Sequence, residues 1–237
     1  MYIVRPLYLA WPNMKTIDTY TSKLRATLSP AERRVFKKLT TPKKIQDFLD
    51  SFPIHFVGKG KGGIYSPRAA LQYKKMHCME GAVVAAAALA YHGRPPLLLD
   101  FQTTPQDEDH VIALFQQGKY WGALSKTNHP VLRWRDPVYA SVRELAMSYF
   151  HEYYMWNKSD GKLYGKKTLR AFSKPFDLRR YAPPQWFGAE DLDWLAVELD
   201  DSPHYPTFGK GMQKYLRNAS KIELTAMKLE EWKKPKN

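Results

Sequence analysis

From Cys78 to Tyr91 the chain carries almost only small and apolar side chains: Cys-Met-Glu-Gly-Ala-Val-Val-Ala-Ala-Ala-Ala-Leu-Ala-Tyr. A segment that is apolar on every side predicts a central, buried helix. Gly93 and the pair Pro95-Pro96 stop it. The apolar run 97–101 then reads as a buried strand. Residues 110–116 and 119–125 read as two further strands joined at Gln117-Gly118. A two-residue turn at that point pairs 116 with 119, and the same register sets His110 opposite Ser125.

The flanks are less regular. Pro6 and Pro12 break residues 1–27 into an irregular arm. Ser29-Pro30-Ala31-Glu32 has the grammar of a capped helix start, with Pro at the first position and Glu at the third. Thr41-Pro42 opens a second helix, with Ile45, Phe48 and Leu49 at helical spacing, closed by Pro53; Ser66-Pro67 opens a third. Residues 54–57 form a short extended piece. A helix is predicted past Asp136-Pro137 through Val142, Leu145, Ala146, Tyr149 and Phe150. The stretch 151–187 reads as aromatic, basic and loop-like, 190–199 as helical and 209–232 as a closing amphipathic helix. The chain divides into a basic arm and helix (1–40), a core (41–150) and a C-terminal region packed on it (151–237).

Composition adds two constraints. The 237 residues carry 37 Lys and Arg against 23 Asp and Glu, a formal net charge of +14, and residues 1–77 hold most of the excess, 15 basic against 4 acidic. That surface suits polyanions, either nucleic acid or an acidic protein, although Arg33, Arg34, Lys37 and Lys38 also sit where a helix presents its solvent face. The aromatic-basic stretch 164–172 could stack bases, but amphipathic packing accounts for it equally well. One cysteine excludes an intramolecular disulfide framework and any multi-cysteine zinc site. No two histidines have ligand spacing beside a carboxylate, so neither a metal nor another cofactor is expected. Gly58, Gly60 and Gly63 fit G-x-G-x-x-G, but no helix opens at the last glycine, so the run reads as a loop. No apolar run reaches the roughly 20 residues of a membrane span. With no leader pattern at the start, a cytoplasmic protein is expected.

Candidate chemistry centres on Cys78. It opens the buried helix, where free backbone N–H groups and the positive dipole end favour a thiolate nucleophile. His110, 32 residues later at the start of a strand, can return to that end of the helix and act as its base. Ser125 stands where an orienting group would hold the second imidazole nitrogen. Asn128 is the alternative, with Asp136 and Asp100 behind it.

This order resembles the transglutaminase-like superfamily of papain-like cysteine enzymes. The matching pieces are His77-Cys78-Met79-Glu80-Gly81-Ala82, Tyr91-His92-Gly93-Arg94-Pro95, Asp109-His110-Val111 and the stretch 118–125. The resemblance spans about residues 40–137. It implies an α+β transglutaminase-like or papain-like core, with the helix packed on a small antiparallel sheet and extra helices at both ends. It also implies cysteine chemistry on a protein or peptide-like amide, either hydrolysis or acyl transfer, by Cys78 and His110 with Ser125 or Asn128. The family's Asp is Ser125 here. A serine orients an imidazole without stabilising its charge, so a catalytically inactive binding module for an acidic protein or nucleic acid is the alternative.

Overall fold

The computed structural model describes residues 14–56, 63–155 and 164–226. The axis of the fold is α5 (Cys78–Tyr91), and every residue from 82 to 90 is at most 1% exposed. Its wall of alanines lets neighbours approach closely. Packed against it are α1 (Met14–Thr27), α2 (Pro30–Lys38), α3 (Pro42–Asp50) and α4 (Pro67–Tyr73). The starts of α2, α3 and α4 follow the sequence grammar: Ser29, Thr41 and Ser66 each accept a backbone N–H two or three residues into a helix that begins with proline. Each such cap contributes about 1 kcal/mol.

The sheet is antiparallel and mixed with helices in one α+β body. It runs in the order β4 (Arg135–Tyr139), β3 (Tyr120–Leu124), β2 (His110–Gln117), β1 (Leu97–Gln102), β5 (Ala171–Ser173) and β7 (His204–Pro206), with β6 (Phe176–Asp177) also paired to β1. Alternation along the strands splits two cores. Leu98, Val111, Ala113, Phe115 and Leu124 join α5 and its helices. Leu97, Leu99, Phe101, Ile112, Leu114 and Ala123 face α6 (Val142–Met147) together with Tyr149, Phe150 and Tyr153. The first core also takes in Trp186 and Phe187 of α7 (Pro183–Phe187) and Leu195 and Leu199 of α8 (Asp193–Asp200).

Four sequence expectations need correction. Residues 14–27 of the supposed arm are helical, because Tyr20, Leu24 and Leu28 recur every four residues and all three are buried; residues 1–13 lie outside the described set. The β2–β3 turn is Gly118-Lys119, with Gly118 at φ +60° and Gln117 paired with Tyr120, so the register moves by one residue on each strand. The stretch 151–187 is not plain loop: it supplies β5, β6 and α7. The C-terminal stretch forms a 3-10 turn, Met212–Tyr215, and a short α9, Lys221–Ala226, rather than one long helix; residues 227–232 lie outside the described set. The glycine run 58–62 also lies outside it, and Gly63 lies in irregular chain before α4.

Candidate active site

The first turn of α5 is locked before any chemistry is considered. His77 is the N-cap, and its Nδ1 accepts from the Met79 N–H at 3.2 Å. Glu80, fully buried, accepts from the N–H groups of His77 (2.8 Å) and Tyr65 (2.9 Å) and bonds His55 Nδ1 at 2.9 Å. His55 in turn stacks between Tyr65 and His77. A buried carboxylate is tolerated here because both of its oxygens have hydrogen-bond partners. The result is a rigid helix start that presents Cys78.

The hairpin register decides what the thiol meets. A two-residue loop makes Gln117 and Tyr120 a hydrogen-bonded pair, so residues 115, 113 and 111 turn their N–H groups towards β3. Pairing ends at Ala113 and Leu124. The N–H of Val111 is thereby left over, and it faces the Cys78 sulfur together with the Met79 N–H. The thiol therefore lies against the backbone of Val111, the residue that follows His110 in β2. The thiol and the imidazole make no hydrogen bond with each other among the described residues.

His110 is buried, and its Nε2 lies 2.8 Å from Ser125 Oγ. Ser125 Oγ lies 2.6 Å from the Leu132 carbonyl oxygen. A carbonyl can only accept, so the serine donates its one hydrogen there. Nε2 must then donate to Oγ, which fixes the Nε2–H tautomer and leaves Nδ1 with its lone pair. His110 and Ser125 are not directly opposite: pairing ends at Ala113 and Leu124, a register whose continuation sets Ser125 against Ile112 rather than His110. They meet diagonally on the same face. Asn128 is half-buried at a bend and takes no part in the His110 bonds. Asp100 is held by His204 Nε2 at 3.2 Å, and Asp136 accepts from the Trp134 indole at 3.0 Å.

No family model and no curated protein matches the chain.

Electrostatics set the resting state. Cys78 is half-buried as a residue, but its sulfur is turned inward, and desolvation there pushes the thiol up to about 11 against the lowering pull of the Val111 and Met79 N–H groups. Burial, helped by His77, pushes His110 down to about 3. The pair therefore rests as thiol and neutral imidazole, not as the thiolate expected from the helix start alone: desolvation outweighs the helix end. Among the described residues, no group of three or more His, Cys, Asp or Glu side chains is arranged to hold a metal, and no helix is long and apolar enough to cross a membrane.

Two supports went unnoticed in the sequence. Gln46, on the buried side of α3, clamps the Ser125 backbone from both ends: its Oε1 accepts from Ser125 N at 3.0 Å and its Nε2 donates to Ser125 O at 2.9 Å. It does what a further strand residue would do where β3 has stopped. Gly81 is the second. A Cβ there would lie 2.2 Å from Lys126 Cβ, so only glycine lets the chain after β3 cross the start of α5. Neither residue belongs to a recognisable motif. The bland signal was a glutamine between apolar positions of an amphipathic helix and a glycine in a helix interior.

Proposed function

We propose that this protein is a transglutaminase-like cysteine enzyme that acts on an amide or acyl group through Cys78 and His110, by hydrolysis or transfer. One observation carries the reading. A cysteine at the locked first turn of a buried helix has its sulfur against the β2 backbone beside a histidine whose free nitrogen is fixed as Nδ1 by Ser125. In the proposed cycle Nδ1 takes the thiol proton as sulfur adds to the carbonyl carbon. It then returns the proton to the leaving amine as the carbon–nitrogen bond breaks. Water or an acceptor amine releases the acyl group from sulfur. Ser125 keeps the tautomer and the ring direction. It supplies no negative charge, so the imidazolium formed during the cycle is less stabilised than beside a carboxylate.

The test uses p-nitrophenyl acetate, which any such nucleophile can attack. Wild type should release p-nitrophenolate and carry one acetyl group on Cys78 by intact-mass analysis. Cys78→Ala should carry none, and His110→Ala should acylate at least ~10²-fold more slowly. Absence of the Cys78 adduct, or acylation indifferent to His110, removes the reading.

A binding module without catalysis is the second reading, favoured by the neutral resting pair and the missing carboxylate. Its surface would be the exposed Arg33, Arg34, Lys37 and Lys38 of α2 with Lys43 and Lys44 of α3. Affinity for heparin or unrelated oligonucleotides that falls steeply with salt, and is lost when these six are neutralised, would support polyanion binding there. Binding unchanged by those substitutions would place it elsewhere.

A further inference from the structure

β7 closes one end of the strand order and is three residues long. A strand this short on an edge needs an anchor besides its ladder. The register supplies one. β5 pairs Phe172 with Phe101 of β1, and β7 pairs Tyr205 with Phe172 and His204 with Ser173. Continuing the first pairing by one residue sets Asp100 against Ser173, so Asp100, Ser173 and His204 form one row across three strands. Residues in a row share a face. β1 and β7 stand two strand spacings apart, about 10 Å. The residue between them is a serine, and over so small a side chain the acid and the imidazole meet: His204 Nε2 lies 3.2 Å from Asp100 Oδ2. Ser173 Oγ accepts from the Asp100 N–H at 2.9 Å, in the gap between the β6 and β5 pairings of β1. The Asp100 and His204 side chains are 5% and 9% exposed.

The hydrogen count at His204 is forced by its partners. Nδ1 lies 2.6 Å from the Ser202 carbonyl oxygen, which can only accept, so Nδ1 carries a hydrogen. A neutral imidazole has one such hydrogen, and Nε2 would then turn a lone pair on a carboxylate. The contact holds only if one further proton lies between Nε2 and Oδ2. The other charged groups that face the pair are Asp200, at the end of α8, and Asp109, ahead of β2; both are acidic and favour keeping that proton. Burial pulls His204 down, but the bonds to Asp100 and the Ser202 carbonyl, with the negative charges, outweigh it and hold His204 above the ordinary histidine value. Burial also raises Asp100, against the bond from His204.

We propose that this proton operates a latch on the sheet edge: while Asp100 and His204 share it, the start of β7 is pinned to β1, and its loss to water above neutral pH releases the start of β7 while the rest of the fold stays closed. When the proton leaves, one of two bonds must go. Either Nε2 faces the carboxylate with a lone pair, or the remaining hydrogen moves to Nε2 and the Ser202 carbonyl loses its donor. A raised histidine contributes stability that is present below about pH 6.5 and is lost as pH climbs through its folded value. The far end of the strand is held by groups that do not titrate there. Thr207 N–H donates to the Arg170 carbonyl at 2.9 Å, and Arg143 donates to the carbonyls of Pro206 (3.2 Å) and Thr207 (3.0 Å). Opening is therefore a hinge at Pro206-Thr207, and it uncovers the outer backbone of β5.

Hydrogen exchange followed by NMR from pH 6 to pH 9, with each rate compared with the intrinsic rate at that pH, tests the latch. The Lys174 N–H, bonded to the Pro203 carbonyl at 2.8 Å, reports the pinned end, and the Thr207 N–H reports the hinge. Protection at Lys174 should fall at least ~10-fold across the range, as for the loss of one charge-assisted bond. Protection at Thr207 and in α5 should change by less than about twofold. Asp100→Asn supplies the bridging hydrogen covalently from its amide, so Lys174 protection in that variant should be equal at both ends of the range. In wild type, the His204 Nε2 resonance should titrate within the same window. Lys174 protection that stays constant in wild type, or that falls equally at Thr207 and in α5, overturns the inference. So does an Asp100→Asn protein that keeps the wild-type pH dependence. Should that variant fail to fold, the wild-type Nε2 resonance decides: titration supports the latch and constancy overturns it. Every one of these readings is made away from Cys78, so the outcome leaves the proposed thiol chemistry to its own test.

Discussion

His110 gives its Nε2 hydrogen to Ser125 Oγ, and Ser125 gives its own to the Leu132 carbonyl, so the orientation of the imidazole is fixed by a backbone oxygen seven residues beyond the serine. A carboxylate at position 125 would accept from the imidazole but could not donate onward. The serine is therefore matched to its surroundings as a relay between a donor and an acceptor.

Ser125→Asp should accordingly destabilise the fold, because an ionised carboxylate would be pressed against the Leu132 carbonyl at a site that is 1% exposed. The expected cost is about 1–3 kcal/mol, and it should shrink in acid as the new carboxyl takes a proton and can donate. The same variant should raise the His110 pKa through the added negative charge. Chemical denaturation at pH 5 and pH 8, with the imidazole followed by NMR, checks both. A variant as stable as wild type at pH 8 would refute the relay.

Acid should unfold the protein through the buried His110 and the half-buried His129. His110 and His129 are both pushed down to about 3 by burial. An unfolded histidine takes its proton near 6.5. The folded state binds fewer protons between these values, so the stability these residues contribute is complete above about pH 6.5 and is lost as pH falls towards 3. Urea midpoints measured from pH 7.5 to 4 should decline, and His110→Gln should flatten the slope. A flat wild-type profile would contradict the burial of neutral imidazoles.

The thiol should behave as a protonated group at neutral pH. Iodoacetamide labelling of the free protein should rise about tenfold per pH unit through the neutral range. Its midpoint should lie above the ordinary thiol value and near 11 if the fold persists there. Because the folded pKa is raised, the matching stability is present below about pH 9 and is lost as pH climbs through 11. A plateau below pH 7 would show a resting thiolate instead.

Gly81→Ala should be far worse than its single methyl suggests. The new Cβ would meet Lys126 Cβ, and Lys126 is itself buried with its ammonium on the Phe52 carbonyl. Neither can yield at its root, so roughly 1–3 kcal/mol of overpacking is expected, read as a drop in melting temperature. Ala82→Gly, one position on, should cost about 1–2 kcal/mol, through helix propensity and the loss of one buried methyl.

Much of this was legible in the chain. The all-round apolar pattern placed α5 at Cys78–Tyr91 without error, and the Ser-Pro and Thr-Pro starts placed α2, α3 and α4. The hairpin is legible in the sequence, although Gln117-Gly118 reads as the turn one residue before the observed Gly118-Lys119. That error moves each strand by one and the register by two, and a shift of two preserves the face on which a side chain stands. His110 and Ser125 therefore still met, diagonally rather than directly opposite. Other features were hidden because their signals are not local. The strand β4 crosses Pro137 at the edge of the sheet, and β5, β6 and β7 are two or three residues long and owe their pairing to β1 or to one another. The protonation of Cys78 depends on what is packed around it, which the helix start does not disclose.

The Gln46 clamp has a consequence for the order in which the molecule is made. It joins residues 79 positions apart in the chain, so Ser125 acquires its backbone partner only after α3 has docked on the finished hairpin. Contacts of such long sequence separation form late, since their loop-closure entropy is met only when much of the fold already exists. A nascent chain would thus hold its cysteine for some time beside an imidazole with no fixed direction. On the proposed reading of Cys78, competence would arrive with this packing step. In refolding experiments, acylation by p-nitrophenyl acetate should lag behind the return of helical circular dichroism, and Gln46→Ala should lengthen that lag.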